Sequence, residues 1–345
     1  MNVREPLSCA PAETYSRAMP KRFVRLGLVA VVIVIAGIAV LTALVQQRFN
    51  APGAHEDSVT VLISKGASLK RVAETLEAAG AISNARLFRR WVQITGSDDV
   101  LKAGEYAIPP RASMAQILDQ MRRGEVVLRR LTVAEGLTSA QVTALIAVAE
   151  GLDGAIEAPP EGALLPETYY YTYGDTRSGL ARRMETAQAE FIDAVWPDRA
   201  PDLPFRSADE ALILASIVEK ETAVPSERAR IAAVFVNRLK RNMRLQSDPT
   251  VIYGISGGEA LGRPIRQSEL DRPTPYNTYV NRGLPPMPIA NPGRESILAV
   301  LHPAATQDLY FVADGTGGHA FATTLAEHNR NVAKWRRIQR EKVSD

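Results

Sequence analysis

Cysteine and histidine are scarce in this chain, which has one cysteine, Cys9, and four histidines among 345 residues. A lone cysteine cannot form an internal disulfide, and no Cys/His group has the spacing of a zinc site. Isolated histidines such as His302 and His319 are more typical of structural side chains than of metal ligands. The glycines of Asp314–Gly318 are not followed by G-K-[ST] and predict a turn, not a phosphate-binding loop. We therefore expect no metal and no cofactor.

Excess charge of either sign is also small. The chain has 41 basic and 38 acidic residues, a net charge of +3. Residues 1–25 alone carry five basic and two acidic side chains, so the remainder sums to zero. A nucleic-acid partner therefore has no electrostatic support outside this tail. With 46% apolar residues the chain is not disordered, and its length is that of roughly two domains of ~100 to 200 residues.

One uncharged apolar run is long enough to cross a membrane. Leu26–Val45 has twenty residues without a charge. At about 1.5 Å per residue, this length spans a ~30 Å hydrocarbon core. A cleaved signal peptide has a shorter apolar core and a small-residue cleavage site, which favours an uncleaved anchor here. Three basic residues precede the run and only Arg48 lies close after it, so residues 1–25 should stay in the cytoplasm. In a double-membraned bacterium the anchor would lie in the inner membrane and the rest in the periplasm.

The exported part is predicted to have an α+β fold. Gln46–Asp57 is polar, with proline and glycine, and predicts a linker. In residues 58–150 a unit of strand, turn and helix starts at Val61, Tyr106 and Leu131. The first copy resembles the start of a LysM-like module, because it has a G-x-S-L-x-x-V-A-x-x-L turn into a helix. Such a module would contact N-acetylated glycan; the alternative is a spacer that only packs.

A glycine-, proline- and acid-rich break, Gly151–Gly162, separates a second predicted region, residues 151–345. Helices are predicted for Leu180–Trp196, for the segment that begins at Ser207, and for about Ser226–Arg241. The stretch Arg244–Gly293 is loop-rich, and loops of this length in a compact domain are usually functional. A strand at Leu309–Ala313, a turn and a last helix complete the chain. The basic residues of that last helix, Lys334 to Lys342, are interpreted as a solvated face.

Two glutamates near the end of the helix that begins at Ser207 are the first candidates for chemistry. At about 100° per residue, the side chains of Glu219 and Glu221 are roughly 200° apart and cannot share one face. Glu221 follows apolar residues at helical spacing and lies at the negative end of the helix dipole, and both features raise a carboxyl pKa. A raised pKa suits a general acid near neutral pH. The alternative is a pair of solvated helix-end carboxylates.

Several motifs in a fixed order carry a resemblance to a known family. They are ASIVEKETAV and FVNRL in two helices, MRLQSDPTVIYG, PYNTY and GLPPMPIANPG in the loop-rich stretch, and YFVADGTGGHAF near the carboxyl end. The segment EGALLPETYYY and the apolar anchor are also in register. From about Val61 to its carboxyl end, the chain resembles the YceG/MltG family of endolytic murein transglycosylases.

The resemblance implies a membrane-anchored enzyme with a lysozyme-like catalytic domain. Such an enzyme cuts peptidoglycan strands between N-acetylmuramic acid and N-acetylglucosamine without water. The C6 hydroxyl of the sugar attacks the anomeric carbon and leaves a 1,6-anhydromuramoyl end. A single glutamate acts as acid and then as base, and proteins of cell-wall synthesis are possible partners. Glu221, which is followed by the small residue Thr222, fits the family pattern better than Glu219, which stays an alternative.

Polar and aromatic residues of the loop-rich stretch are candidates for contacts with sugar hydroxyls and ring faces. Asp248 also fits the start of a helix, and Tyr276 also fits a core position. With Glu219, the candidate substrate-binding residues are Gln246, Asp248, Tyr276, Asn277 and Tyr279.

Two other functions stay open at this point. A muramidase that uses water needs a second carboxylate beside the acid, for which Asp248 and Glu167 are the nearest candidates. A non-catalytic scaffold that binds the cell wall needs no acid at all.

Overall fold

The computed structural model describes residues 21–96 and 101–344. The predictions for Cys9 and for most of the basic tail therefore lie outside the described residues. The chain forms two compact units, one ending at Glu125 and the other beginning at Val126. Helices and strands occur in both units, which confirms the predicted α+β class.

The first helix, α1 (Lys21–Asn50), contains the predicted apolar span and is longer at both ends. Its 23 residues from Leu28 to Asn50 are apolar enough to cross a membrane, the one such helix in the described part of the chain. Five residues of the predicted linker are thus helical. Phe49 is only 2% exposed, and its ring lies 5.2 Å from that of Trp91. The linker prediction missed this apolar anchor point because the residues around Phe49 are polar.

The remainder of the first unit is built in the order strand, helix, helix, strand, helix. Its elements are β1 (Val59–Ile63), α2 (Leu69–Ala78), α3 (Ala85–Ile94), β2 (Gly104–Ile108) and α4 (Met114–Arg123). Strands β1 and β2 pair antiparallel, with Val61 opposite Tyr106. Side-chain caps from Ser68, Asn84 and Ser113 begin the three helices, because a cap satisfies backbone N–H groups that have no partner in the first turn. The likeness of this unit to a LysM module stays a prediction.

The second unit begins before the predicted break at Gly151–Gly162. Its first elements are β3 (Arg129–Thr132), α5 (Ser139–Val148), β4 (Leu152–Asp153), β5 (Thr168–Tyr171), β6 (Asp175–Thr176) and α6 (Arg177–Val195). Strand β3 pairs antiparallel with β5, and Val142 and Ile146 share a core with Leu180 and Met184. The division therefore lies at residue 125/126, not at 150/151. A local break in composition does not show that the strand before it pairs with a strand beyond it.

The centre of the second unit is helical. Its elements are α7 (Ala208–Glu221), α8 (Arg228–Lys240), α9 (Asp248–Ser256), α10 (Gln267–Leu270), α11 (Arg294–Leu301), the strands β7 (Tyr310–Ala313) and β8 (His319–Ala322), and α12 (Leu325–Ser344). Helix α7 packs against α8 and α11, and Leu214, Phe235 and Val300 are at most 1% exposed in their shared core. Truncating Leu214 to alanine would cost about 2–5 kcal/mol. This rigid core holds the end of α7 in place. A lysozyme-like classification of this unit stays a prediction.

Candidate active site

Helix α7 presents its two terminal glutamates to different surroundings. The carboxylate of Glu219 accepts hydrogen bonds from the backbone N–H of Gly293 at 3.0 Å and from Ser296 Oγ at 2.7 Å. Glu221 accepts a hydrogen bond from Ser247 Oγ at 2.5 Å. Both partners of Glu219 belong to the start of α11, whereas the partner of Glu221 precedes α9. The 200° separation expected from helix geometry therefore places the two carboxyls in separate sites.

Glu221 lies at the base of a groove, partly accessible from it and otherwise enclosed. Burial raises the pKa of Glu221 to about 7, and the negative charge of Asp248 also raises it. The hydrogen bond from Ser247 and the positive charge of Arg238 act in the opposite direction, but they do not outweigh burial. No other hydrogen bond to this carboxyl is found within residues 21–96 and 101–344. Near neutral pH the side chain can therefore hold a proton and release it to a bound group.

Ser247 is fixed by its own backbone. Its N–H donates to Thr278 Oγ1 at 3.0 Å, and its carbonyl accepts from Thr250 Oγ1 at 2.6 Å. The preceding residue, Gln246, has a φ of 53°, which is the left-handed region that non-glycine residues seldom adopt. Such strain persists only where surrounding contacts hold it. The left-handed backbone at Gln246 turns the Ser247 hydroxyl toward Glu221. It also leaves the Gln246 side chain exposed in the groove.

Asp248 and Tyr279 form a second polar pair in the same groove. The Tyr279 hydroxyl donates to Asp248 Oδ1 at 2.6 Å. Burial and the neighbouring carboxylate both raise the pKa of Tyr279, so the phenol stays protonated. Asp248 is the first residue of α9, where the helix dipole favours a negative charge. The pair places an acceptor and an aromatic ring beside Glu221.

Arg238, on α8, connects the groove floor to the protein core. It is 7% exposed, and its guanidinium donates to the carbonyls of Leu309 at 2.6 Å and Leu245 at 2.5 Å. The guanidinium carbon lies 5.3 Å from the ring centre of Tyr310. Burial lowers the pKa of Arg238. A guanidinium nevertheless stays charged at any pH of interest, so it supplies a fixed positive charge beneath the carboxyl.

The groove itself has a volume of about 720 Å³, within the ~300–1,000 Å³ range usual for ligand sites. One wall comes from α12, whose basic part, Lys334 to Lys342, was predicted to be a solvated face. His328 of that wall stacks on Tyr310 with ring centres 5.1 Å apart, and burial lowers the pKa of His328. The residues that line the groove are Glu221, Arg238, Gln246, Asp248, Tyr279, Tyr310, Phe311, Val312, Leu325, His328, Asn329, Val332, Trp335 and Arg336.

A second cavity, of about 600 Å³, lies along α6 and the first half of α7. It is lined by carboxylates and apolar side chains, among them Glu185 and Leu212, and by none of the site residues predicted from the sequence. Within the described ranges, no three His, Cys, Asp or Glu side chains are arranged to hold a metal ion.

The predicted site residues separate into two groups. Glu221, Gln246, Asp248 and Tyr279 come together in the groove. Glu219 lies at α11, as described above. Glu167, the other candidate partner carboxylate, forms an ion pair with Arg294 at 2.5 Å and is absent from the groove lining.

The other two predicted residues occupy structural positions. Asn277 is fully buried, and its side-chain amide donates to the carbonyls of Leu270 at 2.9 Å and Arg272 at 2.8 Å. Tyr276 packs on Tyr253, with ring centres 4.9 Å apart. Their neighbours in sequence, Thr278 and Tyr279, are the ones that reach the site.

Sequence reasoning missed Arg238, Tyr310 and the face of α12. The motif FVNRL contains Arg238, but an arginine in a helix is usually predicted to be exposed to solvent. Only the packing of α8 against Leu245 and Leu309 turns that guanidinium inward. Trp335 and Arg336 lie in a basic stretch that gave no separate signal.

Comparison with known proteins identifies relatives that match most of this chain. The model of the YceG-like family matches residues 61–334. The endolytic murein transglycosylase of Bacillus subtilis (strain 168) is 30% identical over 318 residues, which cover 83% of this chain and 87% of that protein. The protein of the same name from Streptococcus pneumoniae (strain D39) is 29% identical over 80% of this chain, but this chain spans only 58% of its length.

A crystal structure of a yceG-like protein from Listeria monocytogenes aligns with a TM-score of 0.48 and 31% identity, covering 80% of this chain and 99% of that one. The family match extends over most of the chain and includes every residue of the groove named above except Trp335 and Arg336. This chain therefore belongs to the YceG-like family.

Proposed function

We propose that this protein is a membrane-anchored endolytic lytic transglycosylase. It cuts peptidoglycan strands between N-acetylmuramic acid and N-acetylglucosamine, with Glu221 as general acid and then base. The observation that carries the proposal is the Glu221 carboxyl, which has a pKa of about 7 and lies at the base of a polar and aromatic groove. The name of relatives at about 30% identity supports the substrate class.

The reaction needs one acid and no water. Protonated Glu221 gives its proton to the glycosidic oxygen as the bond from C1 of N-acetylmuramic acid to that oxygen breaks. The C6 hydroxyl of the same sugar bonds to C1, and its proton passes to Glu221, which returns to the neutral form. An intramolecular hydroxyl has a high effective molarity, so it replaces the second carboxylate that a hydrolytic enzyme needs.

The surroundings of the two glutamates favour Glu221 over Glu219. The Glu219 carboxylate is held by the Gly293 N–H and the Ser296 hydroxyl. These two bonds hold the Glu219 carboxyl at the start of α11, away from the groove. Glu221 has one such bond and opens on the groove.

A water-using muramidase is the second candidate, and the position of Asp248 favours it. Asp248 lines the same groove, and its charge acts on the pKa of Glu221. In a hydrolytic reaction its carboxylate would activate water or attack C1. Its hydrogen bond with Tyr279 agrees equally well with a role in holding a sugar hydroxyl.

Digestion of isolated sacculi by the detergent-solubilised full chain separates these functions. Mass spectrometry should find 1,6-anhydromuramoyl ends, which are lighter by one water than the reducing ends of a muramidase. Glu221→Gln should release nothing, whereas Glu219→Gln, the same change two residues earlier, should retain activity. Reducing ends would establish the muramidase instead. If only Glu219→Gln loses activity, Glu219 is the acid. If Glu221→Gln releases as much product as wild type, the protein is a non-catalytic scaffold that binds the cell wall.

We also infer a single-pass inner-membrane topology with a cytoplasmic amino terminus and a periplasmic catalytic unit that begins at Val126. The length and apolarity of α1 and the basic residues before it support this. Cys9 is the natural cysteine of the chain and serves as the reporter. In intact cells a membrane-impermeant maleimide should not label Cys9, but it should label a Ser58→Cys variant that lacks Cys9. Labelling of Cys9 would show that the amino terminus lies outside the cytoplasm and that the proposed topology is wrong.

Residues 58–125, the part of the predicted region that lies in the first unit, are proposed to contact N-acetylated glycan in the manner of a LysM module. The strand–helix–helix–strand order of β1, α2, α3 and β2 supports this. Photoreactive glycan strands should cross-link to this region in the Glu221→Gln protein. Cross-links found only beyond Glu125 would make it a spacer.

A further inference from the structure

Helix α12 is held against the β7–β8 hairpin and does not project freely into solvent. His328 stacks on Tyr310. At the turn of the hairpin, Gly315 has a φ of 88°, and a Cβ added there would approach Ile338 to 2.9 Å. The backbone of the turn and α12 thus pack closely at a second point, about three helical turns from the first. Contacts at both points fix which face of α12 is turned to the groove.

One stripe of α12 lines the groove that contains Glu221. Its members recur every three or four residues, as expected for one face of a helix. From Leu325 to Arg336 the stripe is roughly 16 Å long at 1.5 Å per residue. The groove wall is therefore several pyranose rings long. The stripe consists of Leu325, His328, Asn329, Val332, Trp335 and Arg336.

Two neighbouring arginines on this helix differ in their surroundings. Arg337 faces Glu341 at 3.9 Å, an exposed pair one helical turn apart. Arg336 lines the groove, and no ion pair to it is found in the described part of the chain. A guanidinium binds a carboxylate through two parallel hydrogen bonds, so Arg336 is suited to a substrate carboxylate.

Trp335, next to it, supplies the other part of a carbohydrate subsite. It is half-buried and lines the same groove. An indole offers a large apolar face and an N–H donor, a combination that suits the apolar face and the hydroxyls of a sugar ring. Asn329, about two helical turns earlier, adds an amide at the groove wall.

We propose that Trp335 and Arg336 form a substrate subsite of the groove, in which Trp335 binds a pyranose ring and Arg336 binds a carboxylate carried by the same glycan strand. The subsite rests on the proposed function, and it names the substrate feature that the groove selects: an anionic glycan over a neutral one. It gives the basic carboxyl-terminal helix a role in specificity that the sequence interpretation as a solvated face did not include.

Binding is measured first, in the detergent-solubilised Glu221→Gln full chain, so that the probe is not consumed. The probes are purified peptidoglycan strands of uniform length and the same strands with their carboxylates converted to amides, and the readout is the dissociation constant by calorimetry. Adding Arg336→Gln should weaken binding of the acidic strands about tenfold, the effect of one hydrogen-bonded charge. It should leave binding of the amidated strands unchanged. Arg337→Gln is the matched control and should alter neither.

Trp335→Ala should weaken binding of both kinds of strand, and Trp335→Phe should restore most of it. In otherwise wild-type protein, Arg336→Gln should raise KM for acidic strands and leave kcat within twofold. Equal effects of Arg336→Gln and Arg337→Gln on acidic strands would overturn the subsite. If no protein cleaves either strand but the binding pattern holds, the proposed reaction fails and the subsite stands.

Discussion

Ser247 Oγ donates a hydrogen bond of 2.5 Å to Glu221 Oε1 across 26 residues of sequence. This bond joins the end of α7 to the residue that precedes α9, and it fixes the orientation of a carboxyl whose pKa is raised to about 7 by burial. The hydrogen bond from Ser247 favours the charged form of Glu221, so it reduces the increase in pKa that burial causes.

Ser247→Ala should raise the pKa of Glu221 above about 7, because the bond that stabilises its charged form is lost. A general acid works in its protonated form, so the alkaline limb of kcat/KM should move to higher pH. The plateau should fall about tenfold, because the carboxyl is no longer held in one orientation. The measurement is a pH profile on purified strands. Ser247→Thr, which retains the hydroxyl, should restore the limb, and an unmoved limb in Ser247→Ala would remove Ser247 from this role.

Asp248→Asn should move the same limb in the opposite direction. The charge of Asp248 raises the pKa of Glu221, so its removal lowers that pKa and the acid form is lost at a lower pH. Asp271→Asn, an exposed change at the end of α10, should leave the profile as it is. Complete loss of activity at every pH in Asp248→Asn would instead favour the water-using reaction with Asp248 as its second carboxylate.

The stability of the protein should reflect the proton that Glu221 retains. Its pKa is about 7 in the folded chain against an ordinary value of 4.5, so the stability linked to this group is complete below about pH 4.5 and is lost as pH rises to about 7. Glu221→Gln has no charge to bury. Near pH 8 the free energy of unfolding of Glu221→Gln should exceed that of wild type by on the order of 2 kcal/mol, seen as a higher Tm. The difference is smaller than the full pKa shift implies, because water in the groove screens part of the effect.

Near pH 4.5 the two proteins should unfold at the same temperature. Thermal unfolding of both full chains in the same detergent, at both pH values, measures the difference. An equal gap at both pH values would mean that Glu221 is not desolvated in the folded state.

Asn277→Ala should destabilise the fold and leave substrate affinity intact. Its amide donates hydrogen bonds to the carbonyls of Leu270 and Arg272. Loss of these bonds should lower the free energy of unfolding by about 2–4 kcal/mol. Asn281, whose amide makes an exposed bond of 2.7 Å to Thr274, provides the matched control. Asn281→Ala should lower Tm much less. A raised KM at unchanged Tm in Asn277→Ala would return this residue to the substrate site.

Local signals predicted the individual elements well. The helix predicted to begin at Ser207 is α7, and the Ser207 side chain caps its first turn. Ser113 and Thr138 form capping boxes at the starts of α4 and α5. Such signals succeed because a cap and its partner lie within one helical turn. The boundary at Gly151 differs from the observed division because β3 pairs with β5 some forty residues later. A local sequence pattern does not predict which distant strand β3 pairs with.

The sequence by itself determined that one apolar helix could span a membrane, that two glutamates end α7, and that these glutamates face apart. Helix geometry requires the last point whatever the rest of the chain does. Tertiary structure decided which glutamate opens on a groove and which is held at α11. It also brought Ser247, Arg238 and α12 around Glu221 from segments far apart in the chain. That assembly depends on packing between distant segments, and packing, unlike periodicity, cannot be read from one stretch of sequence.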